Sequence, residues 1–293
     1  MEFIMNVGLG TAAFGTTIDE RSAHQLIDKY MSLGGNHIDT ANNYAFWITG
    51  SSGRESEEVI GTWIEKSPLA RHEYILASKV GAFPISGSEF EGLSYDSILV
   101  AIDDSLNRLK TDYLDILYLH LPDTNTPIIE TLSAVEQLIK SGKIKSYGIS
   151  NYAMPELNNL SIALQEHPDF HKPLFAQYRH SILTPSSTRD FGVQVTFTPD
   201  VVSLLRTINP AITLVGYSSL LDGLYEKSSI PSDSPYFSAS NANTLLDIRS
   251  ESQKLGHSPS SLVLKKISEQ GILPLTMSSN LTRLINNLSM MMN

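Results

Sequence analysis

The chain contains no cysteine, which removes disulfides, thiolate nucleophiles and cysteine-ligated zinc from consideration. No apolar run approaches the roughly 18 residues needed to span a bilayer. Basic residues are scarce relative to acidic ones: 21 Lys+Arg stand against 31 Asp+Glu, a formal charge of −10. That balance argues against nucleic acid, which needs a basic face. The opening stretch, Met1 to Asn6, lacks the basic region and long apolar core of a secretion signal. The expectation is therefore a cytoplasmic protein with neither membrane nor nucleic acid as partner. Its oligomeric state is not written in the residues. Repeats, low-complexity tracts and Pro/Gly/Ser-rich linkers are also missing, so residues 1–293 are expected to form one domain.

What is present is an alternation of element types. Short apolar, β-leaning runs occur at 7–11, 36–40, 74–79, 114–120, 146–151, 174–177, 212–217 and 272–277. Helical spacing separates them. Ile98, Ile102, Leu106 and Leu109 make one apolar stripe, and Leu132, Val135, Leu138 and Ile139 another. Pro127 suits a first helical turn, as does Pro155 after the possible cap Asn151. A final amphipathic helix is expected over 281–291, with Leu281, Leu284, Ile285 and Leu288 on its apolar face. Eight strand–helix units imply parallel pairing through right-handed crossovers. In a chain of 293 residues they predict an α/β protein built as a single (β/α)8 TIM barrel. The near-continuous apolar runs suit strands covered on both faces.

Chemistry in such a barrel sits where the strands end. Here the apolar runs finish in Asp39, Lys79, His120, Ser150 and Asn151, and Tyr44 follows in the loop after the second run. Taken singly, each has a bland reading as a cap, a surface cation or a core group. Together they suit proton donation to a carbonyl oxygen. An ammonium beside a phenol lowers its pKa, a carboxylate holds that ammonium, and an imidazole orients the substrate.

In these segments the sequence resembles the aldo-keto reductases, a family of (β/α)8 oxidoreductases that use nicotinamide cofactors. The matching residues include Gly8 to Thr11, Gly35 to Tyr44, Ser56-Glu-Glu58 with Ile60-Gly61, Ile75 to Lys79, Asp112 to His120, Gly148 to Asn151, Gln177, Tyr217 to Leu220, and Arg283 to Asn287. The resemblance covers nearly the whole chain. It implies an NAD(P)(H)-dependent enzyme that interconverts an aldehyde or ketone with its alcohol. Tyr44 would be the general acid/base, Lys79 the partner that lowers its pKa, Asp39 the carboxylate holding Lys79, and His120 the orienting residue. Gly10, Thr11 and Asp39 would lie beneath the cofactor, with the nicotinamide stacked on Tyr217. Its carboxamide would be held by Ser150, Asn151 and Gln177. The pyrophosphate would meet Ser218 and Leu220, and the adenosine end would meet Ser278, Arg283 and Asn287.

The cofactor expectation leans to NADPH because Arg283 can pair with a 2′-phosphate. NADH stays a competitor, since Met277 stands where NADPH-preferring members often carry a basic residue. Phe46, Trp47 and Phe83 are the expected apolar lining of the pocket for a small carbonyl or alcohol substrate. The stretch 178–199, which holds His180, Arg189 and Asp190, is expected to form a lid or a substrate wall.

Other motifs carry less. Gly8-Leu-Gly10-Thr-Ala-Ala13 fits a loose dinucleotide fingerprint, but it does not open into a helix, and Asp39 comes later than that motif's acid at about 20 residues. His167 and His171 are four apart with Pro168 between them, so no metal site is expected. No G-x-S-x-G elbow suggests a hydrolase. Two rival readings remain. One is a cofactor-sensing regulatory protein with little turnover; the other is a metal-dependent lyase or isomerase on the same barrel.

Overall fold

The computed structural model describes residues 5–87, 89–186 and 191–292. Arg189 and Asp190 therefore lie outside the described residues. The strands are, in chain order, β1 (Gly8–Gly10), β2 (His37–Asp39), β3 (Ile75–Val80), β4 (Pro84–Ser86), β5 (Glu89–Phe90), β6 (Leu114–Leu119), β7 (Ile144–Ser150), β8 (Phe175–Arg179), β9 (Thr213–Tyr217) and β10 (Ile272–Thr276). Eight of them close a parallel barrel in the order β1-β10-β9-β8-β7-β6-β3-β2. The expected barrel is the fold, with strand ends shifted by a residue or two. The antiparallel β4–β5 hairpin was not anticipated. It is too short to produce a periodic signal, and Gly87 at φ +56° supplies its turn.

The helices are α1 (Glu20–Ser32), α2 (Glu55–Lys66), α3 (Tyr95–Leu109), α4 (Ile128–Lys140), α5 (Met154–Glu166), α6 (Pro199–Ile208), α7 (Ala239–Leu255), α8 (Pro259–Glu269) and α9 (Leu281–Leu288). Short polar side chains cap several of them. Asp19, Ser94, Thr198, Ser258 and Asn280 each accept a backbone N–H from three residues on. Pro127 sits at the cap of α4. Asn151 does not cap α5, whose N-cap is Ala153; its side chain is engaged elsewhere, as described below. The last helix is shorter than expected, because the chain turns after Leu288. Leu284, Asn287 and Leu288 face inward there, while Leu281 is exposed.

Two apolar layers result. Residues pointing outward from the strands pack against the helices, and the stripe Ile98, Ile102, Leu106 and Leu109 is buried there. Where α2 crosses the end of α3 only glycine fits: a Cβ on Gly61 would stand 1.9 Å from the Arg108 carbonyl oxygen. Inside the barrel, Ile75, Ala77, Ile116, Tyr118, Phe175, Val215, Leu273 and Leu275 form a second core. Gly148 makes room for it, since a Cβ there would lie 2.6 Å from the Tyr118 ring. No helix among the described residues is long and apolar enough to cross a membrane.

Candidate active site

Strand periodicity carries the inner core upward into a polar ring. Side chains alternate between faces, so the residue two beyond each inward apolar residue also points inward. In β3 the inward set Ile75 and Ala77 continues to Lys79, and in β6 Ile116 and Tyr118 continue to His120 just past the strand. In β8 Phe175 is followed by Gln177, and in β9 Val215 by Tyr217. Asp39 reaches the same level from β2, paired in register with Ala77. The expected polar residues thus converge because they share one phase of one barrel.

At the centre is an ion pair sealed from solvent. Lys79 Nζ donates to Asp39 Oδ1 at 2.5 Å and to the Thr40 carbonyl at 2.7 Å, and both charged side chains are at most 1% exposed. Gln177 Nε2 donates to the other Asp39 oxygen at 2.7 Å. Tyr44 comes down on this pair from the loop after β2, with Lys79 Nζ 4.8 Å from its ring centroid. His120 stands beside it, the two rings 6.1 Å apart and edge to face. The four residues singled out from the sequence are therefore neighbours.

Their electrostatics differ in one respect from expectation. Burial raises the Tyr44 pKa above its ordinary 10.0; the Lys79 ammonium pulls it down, and Asp39 pushes it up again. The lowering effect of Lys79 is present but does not prevail, so Tyr44 is held as the neutral phenol at physiological pH. For Lys79, burial alone favours the neutral amine. Asp39 and Tyr44 outweigh it and leave the ammonium favoured. Burial, with a contribution from Lys79, depresses His120 to about 3, so its imidazole is neutral.

Asn151 explains its absence from the helix cap. In a left-handed backbone conformation at φ +61°, it donates to the His120 carbonyl and to Ser150 Oγ. Its Oδ1 accepts from Tyr217 OH at 2.7 Å and from the Val195 N–H. Asn151 thereby ties three strand ends to the loop after β8. That loop supplies Val193 and Gln194 to the cavity wall, which is a wall in the sense expected of the 178–199 stretch.

A cavity of about 1160 Å³ opens over this ring and runs to the first turn of α9. Gly10, Thr11, Ser150, Gln177, Tyr217, Ser218 and Leu220 line it beside Tyr44, Asp39 and His120, and Ser278, Arg283 and Asn287 line its far end. Lys79 lies beneath the floor. Phe46 and Trp47 are on the wall, but Phe83 is not; its ring packs against the Arg54 guanidinium, 5.4 Å away. The hairpin presents Phe90 in its stead. A Gly87 turn flanked by Ile85 and Phe90 was the signal available for it. Glu226 and Ser260 also line the cavity and were not anticipated, because only packing of distant segments brings them there.

The cavity suits an elongated dinucleotide. It exceeds the roughly 300–1,000 Å³ of ordinary ligand pockets. Buried His120 Nδ1 and Asn43 Oδ1 have no hydrogen-bond partner among the described residues. Arg283 is the only Lys or Arg among the described lining residues. No group of three or more His, Cys, Asp or Glu among the described residues could hold a metal ion.

Residues 6–293 match the model of the aldo/keto reductase family. Among curated proteins, the chain is 39% identical over 134 residues to an aryl-alcohol dehydrogenase of Pestalotiopsis microspora, a match covering 44% of this chain and 33% of that protein. It is 33% identical over 144 residues to the NADP(+) aryl-alcohol dehydrogenase of Phanerodontia chrysosporium, covering 46% and 35%. These matches span about a third of the relatives' own lengths. Among solved structures, an aldo/keto reductase from Klebsiella pneumoniae bound to NADP and acetate superposes with a TM-score of 0.70. That likeness covers 98% of this chain and 85% of the other at 22% identity.

Proposed function

The chain belongs to the aldo/keto reductase family, and from that premise we propose that it is an NAD(P)(H)-dependent oxidoreductase that reduces an aldehyde or ketone. The observation that carries this reading is the buried Asp39–Lys79 pair beneath Tyr44, with neutral His120 alongside. Asp39, Tyr44, Lys79 and His120 are the proposed catalytic residues. Such a set suits turnover better than a purely regulatory binding role.

A reduced nicotinamide, when bound, supplies the hydride. Everything else falls to the chain. Tyr44, held protonated, donates its phenolic proton to the carbonyl oxygen as negative charge develops there. The Lys79 ammonium stabilises the phenolate left behind, and Asp39 with Gln177 keeps that ammonium in place. His120 is a neutral imidazole and offers one N–H to the carbonyl oxygen. In the opposite direction the phenolate form of Tyr44 takes the alcohol proton. The ring of Tyr217 and the amide groups of Asn151 and Gln177 would hold the nicotinamide, with Ser150 beside them and Gly10 and Thr11 beneath. Ser218 and Leu220 would meet the pyrophosphate, and Ser278, Arg283 and Asn287 the adenosine end. With Arg283 at that end, NADPH is the expected form. A relative named for NADP(+) supports it.

The substrate end is walled by Phe46, Trp47 and Phe90, and no Lys or Arg lines it among the described residues. A neutral aromatic carbonyl fits that lining better than a phosphorylated sugar, in keeping with two relatives named as aryl-alcohol dehydrogenases. The test is single-turnover oxidation of bound NADPH by a panel of aromatic, aliphatic and anionic aldehydes. Aromatic aldehydes should react fastest. Binding of NADPH without oxidation by any member of the panel would refute the reading in favour of a sensor.

A further inference from the structure

The inner core holds one more group at the level of the ion pair. Lys79 and Tyr118 are register partners on the neighbouring strands β3 and β6, so both side chains point into the barrel side by side. The next partner along that row is Gly148 of β7, followed by Phe175 of β8. A Cβ on Gly148 would stand 2.6 Å from the Tyr118 ring, so the glycine leaves the space that the ring fills. Lys79 Nζ stands over this ring, 5.7 Å from its centroid, and 4.8 Å from the centroid of Tyr44. The ammonium is thus shared by two phenol rings, one from the loop after β2 and one from the core. Tyr118 is fully buried, and its hydroxyl makes no hydrogen bond among the described residues. Its contact with the ion pair is therefore through the ring. Burial, with Asp39 and Tyr44 adding to it against the Gln177 amide, raises its pKa well above 10.0. The ring stays a neutral phenol with a negative face.

We propose that Tyr118 is a positioning residue for the proton transfer, its π face closing the core side of the Lys79 ammonium and holding that cation at Tyr44. The inference rests on the reading of Tyr44 and Lys79 as the proton-transfer pair, and deepens it. Asp39 Oδ1 and the Thr40 carbonyl, both from the end of β2, accept from Lys79 and draw the ammonium toward that strand. The ammonium carries a further N–H for Tyr44. A ring face attracts a cation most strongly where both are desolvated, as here. It does so without an acceptor that competes with Tyr44 for that N–H, whereas a water in the same place would take it. The negative face also favours the protonated form of the Lys79–Tyr44 pair, whichever of the two carries the proton. The other titratable groups that face Lys79 are Asp39, His37 and His120. Burial depresses the two histidines to about 4 and about 3, so both are neutral where the pair titrates.

Phenylalanine and its trifluoro and pentafluoro forms, placed at position 118 by codon suppression, test this. Fluorine drains the ring face of negative potential, while shape and volume stay close to those of phenylalanine. The readouts are single-turnover reduction of an aromatic aldehyde by NADPH as a function of pH, and the NADPH Kd by titration. Tyr118→Phe should keep the rate within about threefold of wild type, since the ring and not the hydroxyl makes the contact. From phenylalanine to the pentafluoro ring the rate should fall by about tenfold, the size of a desolvated cation–π contact. The alkaline limb of the profile should move to lower pH by about half a unit or more, because the protonated pair has lost a stabilising face. The NADPH Kd should stay the same throughout, because Tyr118 is not among the described lining residues of the cavity. An equal rate and an unmoved limb across the fluorinated rings would overturn the proposal. So would a tenfold loss in Tyr118→Phe, or a Kd that weakens in step with the rate. Those results leave carbonyl reduction by the wild type intact. A wild type that reduces no carbonyl would overturn both readings.

Discussion

Lys79→Met should destabilise the fold by about 3–5 kcal/mol. The side chains of Lys79 and Asp39 are 0% and 1% exposed and joined at 2.5 Å. Removing the ammonium leaves a buried carboxylate whose remaining donor is Gln177, and takes the 2.7 Å donor from the Thr40 carbonyl. Breaking a buried pair on one side costs about 3–5 kcal/mol, whereas removing both charges together is often nearly neutral. At about 2.1 cal/mol/K of unfolding entropy per residue, a chain of 293 residues has an entropy near 0.6 kcal/mol/K. The single variant should therefore melt roughly 5–8 °C below wild type. Asp39→Asn combined with Lys79→Met should recover most of the loss, with a coupling of about 2 kcal/mol or more. Urea unfolding and calorimetry on the four proteins of the cycle measure both numbers. The sign with pH also follows. Asp39 and Tyr44 raise Lys79 above its ordinary 10.5 against the opposing effect of burial. Its contribution is thus complete below 10.5 and is lost only as pH rises through the raised value. The deficit of the single variant should be constant across neutral pH. A single variant within 1 kcal/mol of wild type, or a double variant as weak as the sum of the singles, would refute the buried-pair account.

Tyr44→Phe should lower turnover by about 10²–10⁴ and leave the cofactor Kd nearly unchanged; unaltered turnover would remove Tyr44 from the chemistry. Because Tyr44 is held protonated by burial, carbonyl reduction should persist into alkaline pH, while alcohol oxidation should accelerate as pH rises. Steady-state profiles in the two directions check this. Burial depresses His37 to about 4 and His120 to about 3, against an ordinary 6.5. Each contributes stability that is complete above 6.5 and lost as pH falls toward its folded value, about 2 kcal/mol apiece at pH 5. Urea unfolding at pH 7 and pH 5 should reveal that loss, and His120→Gln should diminish it; equal stability at the two values would contradict it. Gly61→Ala sets a Cβ 1.9 Å from the Arg108 carbonyl and should cost about 1–3 kcal/mol by forcing α2 and α3 apart. A melting temperature equal to wild type would show that this crossing yields freely.

The legible part of this protein is what short-range periodicity encodes. Alternating apolar runs and helical stripes announce eight strand–helix units, and a two-residue period places Lys79, His120, Gln177 and Tyr217 one step above an inward apolar residue. Boundaries were less legible where a side chain had a distant use. Asn151 looks like a helix cap in the sequence, but its amide is consumed by Tyr217, Val195, His120 and Ser150. Phe83 and Phe90 are equally aromatic in sequence. The hairpin turn sends one to the cavity and leaves the other stacked on Arg54.

The residues by themselves therefore determined the barrel and the convergence of Asp39, Tyr44, Lys79 and His120, while only the family resemblance pointed to Arg283 at the far end. Folding alone decided the environment of each group. Burial outweighs Lys79 in setting the acidity of Tyr44, and the packing of α8 on α9 brings Glu226 to the end of the cleft that Arg283 lines. Periodicity is local and survives in a one-dimensional string. Desolvation, and the charge a ligand meets, depend on segments brought together from distant parts of the chain.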